Sequence, residues 1–135
     1  MGEYPVERSD AEWKVQLSPE RYAVLRQAAT EPAFTGALLH VEDDGSFTCG
    51  GCGEVLFTSD QKFNSGCGWP SFDAAAGPVI EKVDQSHGMT RTEILCGSCG
   101  GHLGHVFNDG PTETGVRYCV NSLSIDFEPA PVDAG

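Results

Sequence analysis

The chain has 135 residues, a formal net charge of −12 at pH 7 and six cysteines. That length suits one domain, 1–135, able to bury a core without covalent staples. The acidity speaks against nucleic acid as a partner, because affinity for phosphates comes mainly from Lys and Arg; it reads as solubility. No window approaches the roughly 18 apolar residues of a membrane span, and "MGEYPVERSDAEWK" lacks the features of a signal or transit peptide. The expectation is a cytoplasmic protein without a membrane partner. Structural disulfides are rare in a reducing cytosol, so six cysteines call for metal or reactivity.

The first 30 residues read as a helical segment. In "SDAEW", Ser9 and Glu12 form a capping box, after which Trp13 and Leu17 share a face. Ser18 caps a second helix with Pro19 at its first position. Tyr22, Leu25 and Ala29 recur at helical spacing, with Val24 and Ala28 alongside. The proline of "TEPAF" ends that helix near Ala29.

Strands follow. "ALLHVEDDGSFTC" reads as a hairpin turning at Asp44-Gly45. "EVLFTS", "PVIEKV", "MTRTEILC", "LGHVF" and "RYCVNSLSIDFEP" read as strands with no helices between them, so the sheets are expected to be antiparallel. In the last strand Leu123, Ile125 and Phe127 alternate with Ser124, Asp126 and Glu128. Extended backwards, that parity puts Cys119 and Asn121 on the apolar face, about 7 Å apart unless a bulge intervenes. Residues 130–135 read as a frayed tail.

Two C-x-x-C pairs stand out: Cys49 with Cys52, and Cys96 with Cys99. Small residues between the thiols let both sulfurs of a pair turn toward one ion, and four thiolates close a tetrahedral structural zinc site. Two rival readings exist. His102 and His105 follow Cys99 closely enough for a mixed Cys/His site, which would strand the first pair. A redox C-x-x-C would need a strand–helix context that is absent.

Cys67 and Cys119 are left over. Either they are inert buried thiols, or they react. Arg117, two residues before Cys119, would favour its thiolate, and Asn121 could donate to charge developing near the sulfur. Cys67 lies in the loop "NSGCGWPSF", and a loop thiol beside a strand thiol is the arrangement of a resolving and an attacking cysteine. Trp69 is either a core plug or the wall of an apolar pocket. His102 and His105 either supply protons near neutral pH or are satisfied structural residues. His40 and His87 lie in segments without other chemical groups. Asp109 either orients one of the pair His102 and His105 or simply shapes the turn "NDGP".

"SGCGWPSF", "HLGHVFNDGP" and "RYCVNS", threaded between the two C-x-x-C pairs, closely resemble the methionine-R-sulfoxide reductases, the MsrB family, over about residues 32–129. The resemblance implies a mainly β (α+β), Mss4-like fold: two antiparallel sheets, N-terminal helices, and one structural zinc on Cys49, Cys52, Cys96 and Cys99. It implies Cys119 as the catalytic nucleophile and Cys67 as the resolving cysteine. Trp69 would receive the methyl group, His102, His105 and Asn121 would be the polar groups of the site, and Asp109 and Arg117 would support it. The implied activity is thiol-dependent reduction of the R epimer of methionine sulfoxide, free or in oxidised proteins. It would run through a Cys119 sulfenic acid and a Cys67–Cys119 disulfide recycled by thioredoxin, in a monomer. Val120 stands where Ile is common and Asn108 where Gly is common; neither removes a chemical group. Two other classes stay open: a zinc-bound binding module on the same fold, and a zinc enzyme of thiol-adduct chemistry.

Overall fold

The computed structural model describes residues 4–41, 43–85 and 88–130. His87 and, apart from Ala130, the expected tail lie outside the described residues. Helix α1 is Asp10–Gln16, and its capping box is complete: Ser9 Oγ accepts from the Glu12 N–H and the Glu12 side chain accepts from the Ser9 N–H. Helix α2 is Pro19–Gln27; Ser18 Oγ accepts from the Arg21 N–H, and Ala28 ends the helix in the left-handed region at φ 57°. Their inward faces bury Trp13, Leu17, Val24 and Leu25. No described helix is long and apolar enough to cross a membrane.

The strands are β1 Gly45–Cys49, β2 Val55–Thr58, β3 Lys62–Phe63, β4 Ser71–Phe72, β5 Val79–Asp84, β6 Arg91–Cys96, β7 His102–Phe107, β8 Arg117–Val120 and β9 Ile125–Pro129. They form a three-stranded sheet, β2-β1-β9, and a six-stranded sheet, β3-β4-β8-β7-β6-β5. Every pairing is antiparallel, as the run of strands without crossover helices requires. The sheets meet through aromatic rings. Phe72 of the larger sheet stacks on Phe57 at 4.3 Å and meets Phe47 edge-on at 5.0 Å; all three are fully buried.

Two expectations fail. The hairpin at Asp44-Gly45 does not form: the chain from Gly36 to Val41 closes in turns, with Leu39 N–H on Gly36 O and Val41 N–H on Leu38 O. The physical reason is that β1 already has both edges occupied, by β2 and β9. The segment "RYCVNSLSIDFEP" is not one strand. It breaks at a 3₁₀ turn, Ser122–Ser124, so β8 and β9 belong to different sheets. Polar side chains compete here with the ladder. Asn121 Nδ2 donates to Leu103 O, Ser122 Oγ accepts from the Leu38 N–H, and Ser124 Oγ donates to His102 O. The side-chain parity of β9 therefore does not extend back to Cys119.

Candidate active site

Cys119 sits in the middle of the larger sheet. Its register partners are Ser71 on β4 and His105 on β7, and directly opposed residues project from the same face. One row across three strands thus carries Ser71, Cys119 and His105. The strands come together unusually closely at Gly104: a Cβ there would lie 1.9 Å from Cys119 O, so only glycine fits.

The loop between β3 and β4 brings Cys67 onto this row. Gly66 and Gly68 take φ of 76° and 94°, values that side chains disfavour, and the turn they permit aims Cys67 inward. Its Sγ lies 3.1 Å from Cys119 Sγ, 3.4 Å from Ser71 Oγ and 3.5 Å from Trp69 O. Both thiols are free. Arg117 Nη1 lies 2.8 Å from Cys119 Sγ, while Nε and Nη2 of the same guanidinium donate to Asp109 at 2.8 and 3.0 Å. Those bonds hold the Asp109 carboxyl below its ordinary range. Two sulfurs this close share a proton. Their mutual hydrogen bond is the main reason the Cys67 thiol is held down to about 4 and the Cys119 thiol is pushed up, the latter against the pull of Arg117.

A cleft of about 300 Å³ opens above the row. Cys67, Trp69, His105, Arg117, Cys119 and Asn121 line it, together with Thr30, Arg91, Gly104 and Phe107. Trp69 Nε1 donates to Glu31 O at 3.0 Å, and Asn121 Oδ1 accepts from the Glu31 N–H at 3.0 Å. His105 Nε2 faces Asp84 Oδ2 at 2.9 Å, a carboxylate contact that places the hydrogen on Nε2. Arg91 reaches the same oxygen at 3.5 Å.

Two expected members stand outside the cleft lining. His102 is buried behind His105, ring centroids 5.7 Å apart, with Nδ1 2.6 Å from Glu93 Oε2. Burial lowers its pKa, with Glu93 opposing. Asp109 reaches the site only through Arg117. Among the residues near the site that escaped the sequence reading are Glu31, Ser71, Asp84, Arg91 and Glu93. Ser71 lay inside a quoted motif but carried no signal of its own. Glu93 and Asp84 were legible only with the strand register, which sets Glu93 opposite His105.

The four remaining cysteines form a second cluster. The sulfurs of Cys49, Cys52, Cys96 and Cys99 all lie within 4.8 Å of one another. Cys49 and Cys99 are 3.6 Å apart, as are Cys52 and Cys96. A tetrahedral ion with sulfur ligands at about 2.3 Å spaces them by about 3.8 Å, so the four could hold one. Backbone N–H groups of Gly51 and Ser98 donate to Cys49 and Cys96 at 3.3 and 3.4 Å, favouring thiolates. Hydrogen bonds from Cys96 and Cys99 hold the Cys49 thiol down to about 2, and the bond to Cys49 is the main cause pushing the Cys96 thiol up. Only a shared cation would let all four ionise together. With the Nδ1 of His102 bound to Glu93 and the Nε2 of His105 to Asp84, the mixed Cys/His alternative finds no support.

With this geometry established, likeness to known proteins is informative. The SelR domain profile matches residues 17–129. A peptide methionine sulfoxide reductase MsrB of Leptospira interrogans is 58% identical over 127 residues, covering 93% of this chain and 97% of the relative. Its namesake in Bradyrhizobium diazoefficiens is 56% identical, covering 90% and 89%, and that of Leifsonia xyli 53%, covering 95% and 94%. The chain belongs to the MsrB family of SelR-domain proteins.

Proposed function

We propose that this chain is an oxidoreductase that reduces the R epimer of methionine sulfoxide to methionine, with Cys119 as nucleophile and Cys67 as resolving thiol. The observation that carries this reading is the 3.1 Å contact between two free thiols beside a guanidinium, lining an open cleft.

Sulfoxide sulfur is a poor electrophile until its oxygen takes a proton. When the hydrogen between the two sulfurs passes to Cys67, Cys119 is the thiolate beside Arg117. It attacks sulfur as the oxygen is protonated, the S–O bond breaks, methionine leaves, and Cys119 carries the oxygen as a sulfenic acid. Since its Nε2–H is held by Asp84, His105 would deliver the proton from Nδ1. His102 packs behind it and acts through its placement. Asn121 has two N–H bonds and spends one on Leu103 O, leaving one for the substrate oxygen. Trp69 offers a flat apolar wall for the methyl group. Arg117, oriented by Asp109, stabilises the thiolate. Cys67 then attacks the sulfenic acid, a disulfide forms and water leaves. An external dithiol, thioredoxin in this reading, takes the disulfide and restores both thiols.

Zinc is the ion that fits four cysteine sulfurs at this spacing. Cys49, Cys52, Cys96 and Cys99 would hold it, and it would serve the fold, since no coordination position stays open. The protein would work as a cytoplasmic monomer on free or protein-bound substrate. The test is incubation with racemic methionine sulfoxide and dithiothreitol, followed by chiral chromatography. Loss of the R epimer alone is expected; both epimers left intact would refute the reading.

A further inference from the structure

Glu31 is a buried carboxyl residue, 4% exposed, in a segment with no regular secondary structure. It has no place in the chemistry above, yet three residues from two segments of the site, Trp69 and the Asn121–Leu123 turn, converge on it. Its N–H donates to Asn121 Oδ1 and its carbonyl accepts from Trp69 Nε1, both at 3.0 Å. Its side chain reaches the other way, where Oε1 accepts from the Leu123 N–H at 2.9 Å. Oε2 is buried without a hydrogen-bond partner among the described residues. Gly36 packs beside it; a Cβ there would lie 2.4 Å from Oε2.

A buried carboxyl with one unpartnered oxygen works against folding. Groups that break this rule mark places where position matters more than stability. What Glu31 fixes is clear from its partners. The Trp69 indole has a single polar atom, and Glu31 O is its acceptor, so this bond sets the plane of the ring in the cleft wall. The Asn121 amide is held flat by Glu31 on one side and Leu103 on the other. Trp69 and Asn121 project into the cleft from different segments, and among the described residues Glu31 is the one bonded to both. The two epimers of a sulfoxide differ in which direction the oxygen takes relative to the two carbon substituents. Discriminating them requires the apolar wall and the polar donor to keep a fixed mutual orientation.

We propose that Glu31 is a positioning residue for substrate recognition. Its backbone locks Trp69 and Asn121 together, and its buried carboxyl anchors that lock to Leu123. The inference rests on reading the cleft as the methionine sulfoxide site. It concerns the fit of substrate and leaves the reactivity of the thiol pair untouched.

The test compares Glu31→Ala and Glu31→Gln with the wild-type protein. Glu31→Ala is expected to raise KM for R methionine sulfoxide about 10-fold, the loss of one buried hydrogen bond, and to leave kcat within about threefold. Glu31→Gln keeps an acceptor for the Leu123 N–H and should restore KM. Two further readouts need no turnover. The Trp69 indole N–H resonance, assigned with Trp69→Phe, should shift and exchange faster in Glu31→Ala, while the iodoacetamide rate of the thiol pair stays at the wild-type value. The double variant Glu31→Ala with Trp69→Phe should show less than the sum of the single effects on binding. An unmoved indole signal, or a KM effect that is purely additive with Trp69→Phe, would overturn the proposal. If Glu31→Ala does not fold, Glu31→Asp carries the same expectations at smaller size, and a folded Glu31→Asp with wild-type KM and indole signal would overturn it equally. A wild-type protein that fails to reduce the sulfoxide refutes the proposed activity, and the indole readout still decides whether Glu31 holds Trp69.

Discussion

Cys67 Sγ and Cys119 Sγ lie 3.1 Å apart as free thiols. A disulfide is about 2.05 Å long, so the proposed bond needs only about 1 Å of movement. Cys119→Ser should therefore abolish sulfoxide reduction entirely. Cys67→Ser should release one methionine per chain and then stop under thioredoxin recycling. Stoichiometric methionine release, read by mass spectrometry, separates the two; equal loss in both assays would remove the resolving role.

The shared proton gives the pair a distinctive pH profile. A lowered pKa means that thiolate persists at every pH above it, and the value for Cys67 is about 4. Alkylation of the pair by iodoacetamide should stay nearly level from about pH 8 to about pH 5 and fall below that. The Cys119 hydrogen bond is the largest cause of the lowering, so in Cys119→Ser the Cys67 midpoint should climb toward about 8.5, the ordinary thiol value. Peptide mapping across the pH series reads this directly. A Cys67 midpoint unmoved by Cys119→Ser would show that the sulfur contact is not its cause.

Metal analysis should find one zinc per chain. Stripping it with a chelator, or Cys49→Ser, should lower the melting temperature by roughly 10 °C or more, several kcal/mol for a chain of this size. Unchanged melting after complete removal would refute a structural ion.

Gly104→Ala should destabilise by roughly 1–3 kcal/mol, because the new methyl meets backbone rather than a side chain that can turn aside. Denaturant midpoints measure it. The variant should also lose activity, since Cys119 O is the atom displaced.

Chemistry was more legible in the sequence than topology. The paired cysteines, the capping box at Ser9, the N-cap at Ser18 and the Gly-flanked thiol are each encoded within a few residues, so they can be read locally. The pairing of β1 with β9 cannot: it joins Phe47 to Phe127, and nothing near Asp44-Gly45 reveals that the hairpin partner's place is taken. The break after Val120 escaped for a related reason. Asn121 and Ser124 look like strand residues until their acceptors, Leu103 O and His102 O, are known. Glu31 was hidden in a helix-stop signal; its importance lies in a backbone N–H and carbonyl, groups every residue but proline carries and no sequence distinguishes.

The turn between β8 and β9 has one more implication. Cys119 hangs on one sheet and, six residues on, Ile125 pairs with Cys49, a residue of the four-cysteine cluster, in the other. A change at the cysteine cluster would have only one short turn to cross to reach Cys119, the proposed nucleophile. A Cys49→Ser variant should therefore mimic a catalytic lesion, although Cys49 does not line the cleft. Rescue by added metal, and not by added thiol, would tell the two kinds of defect apart.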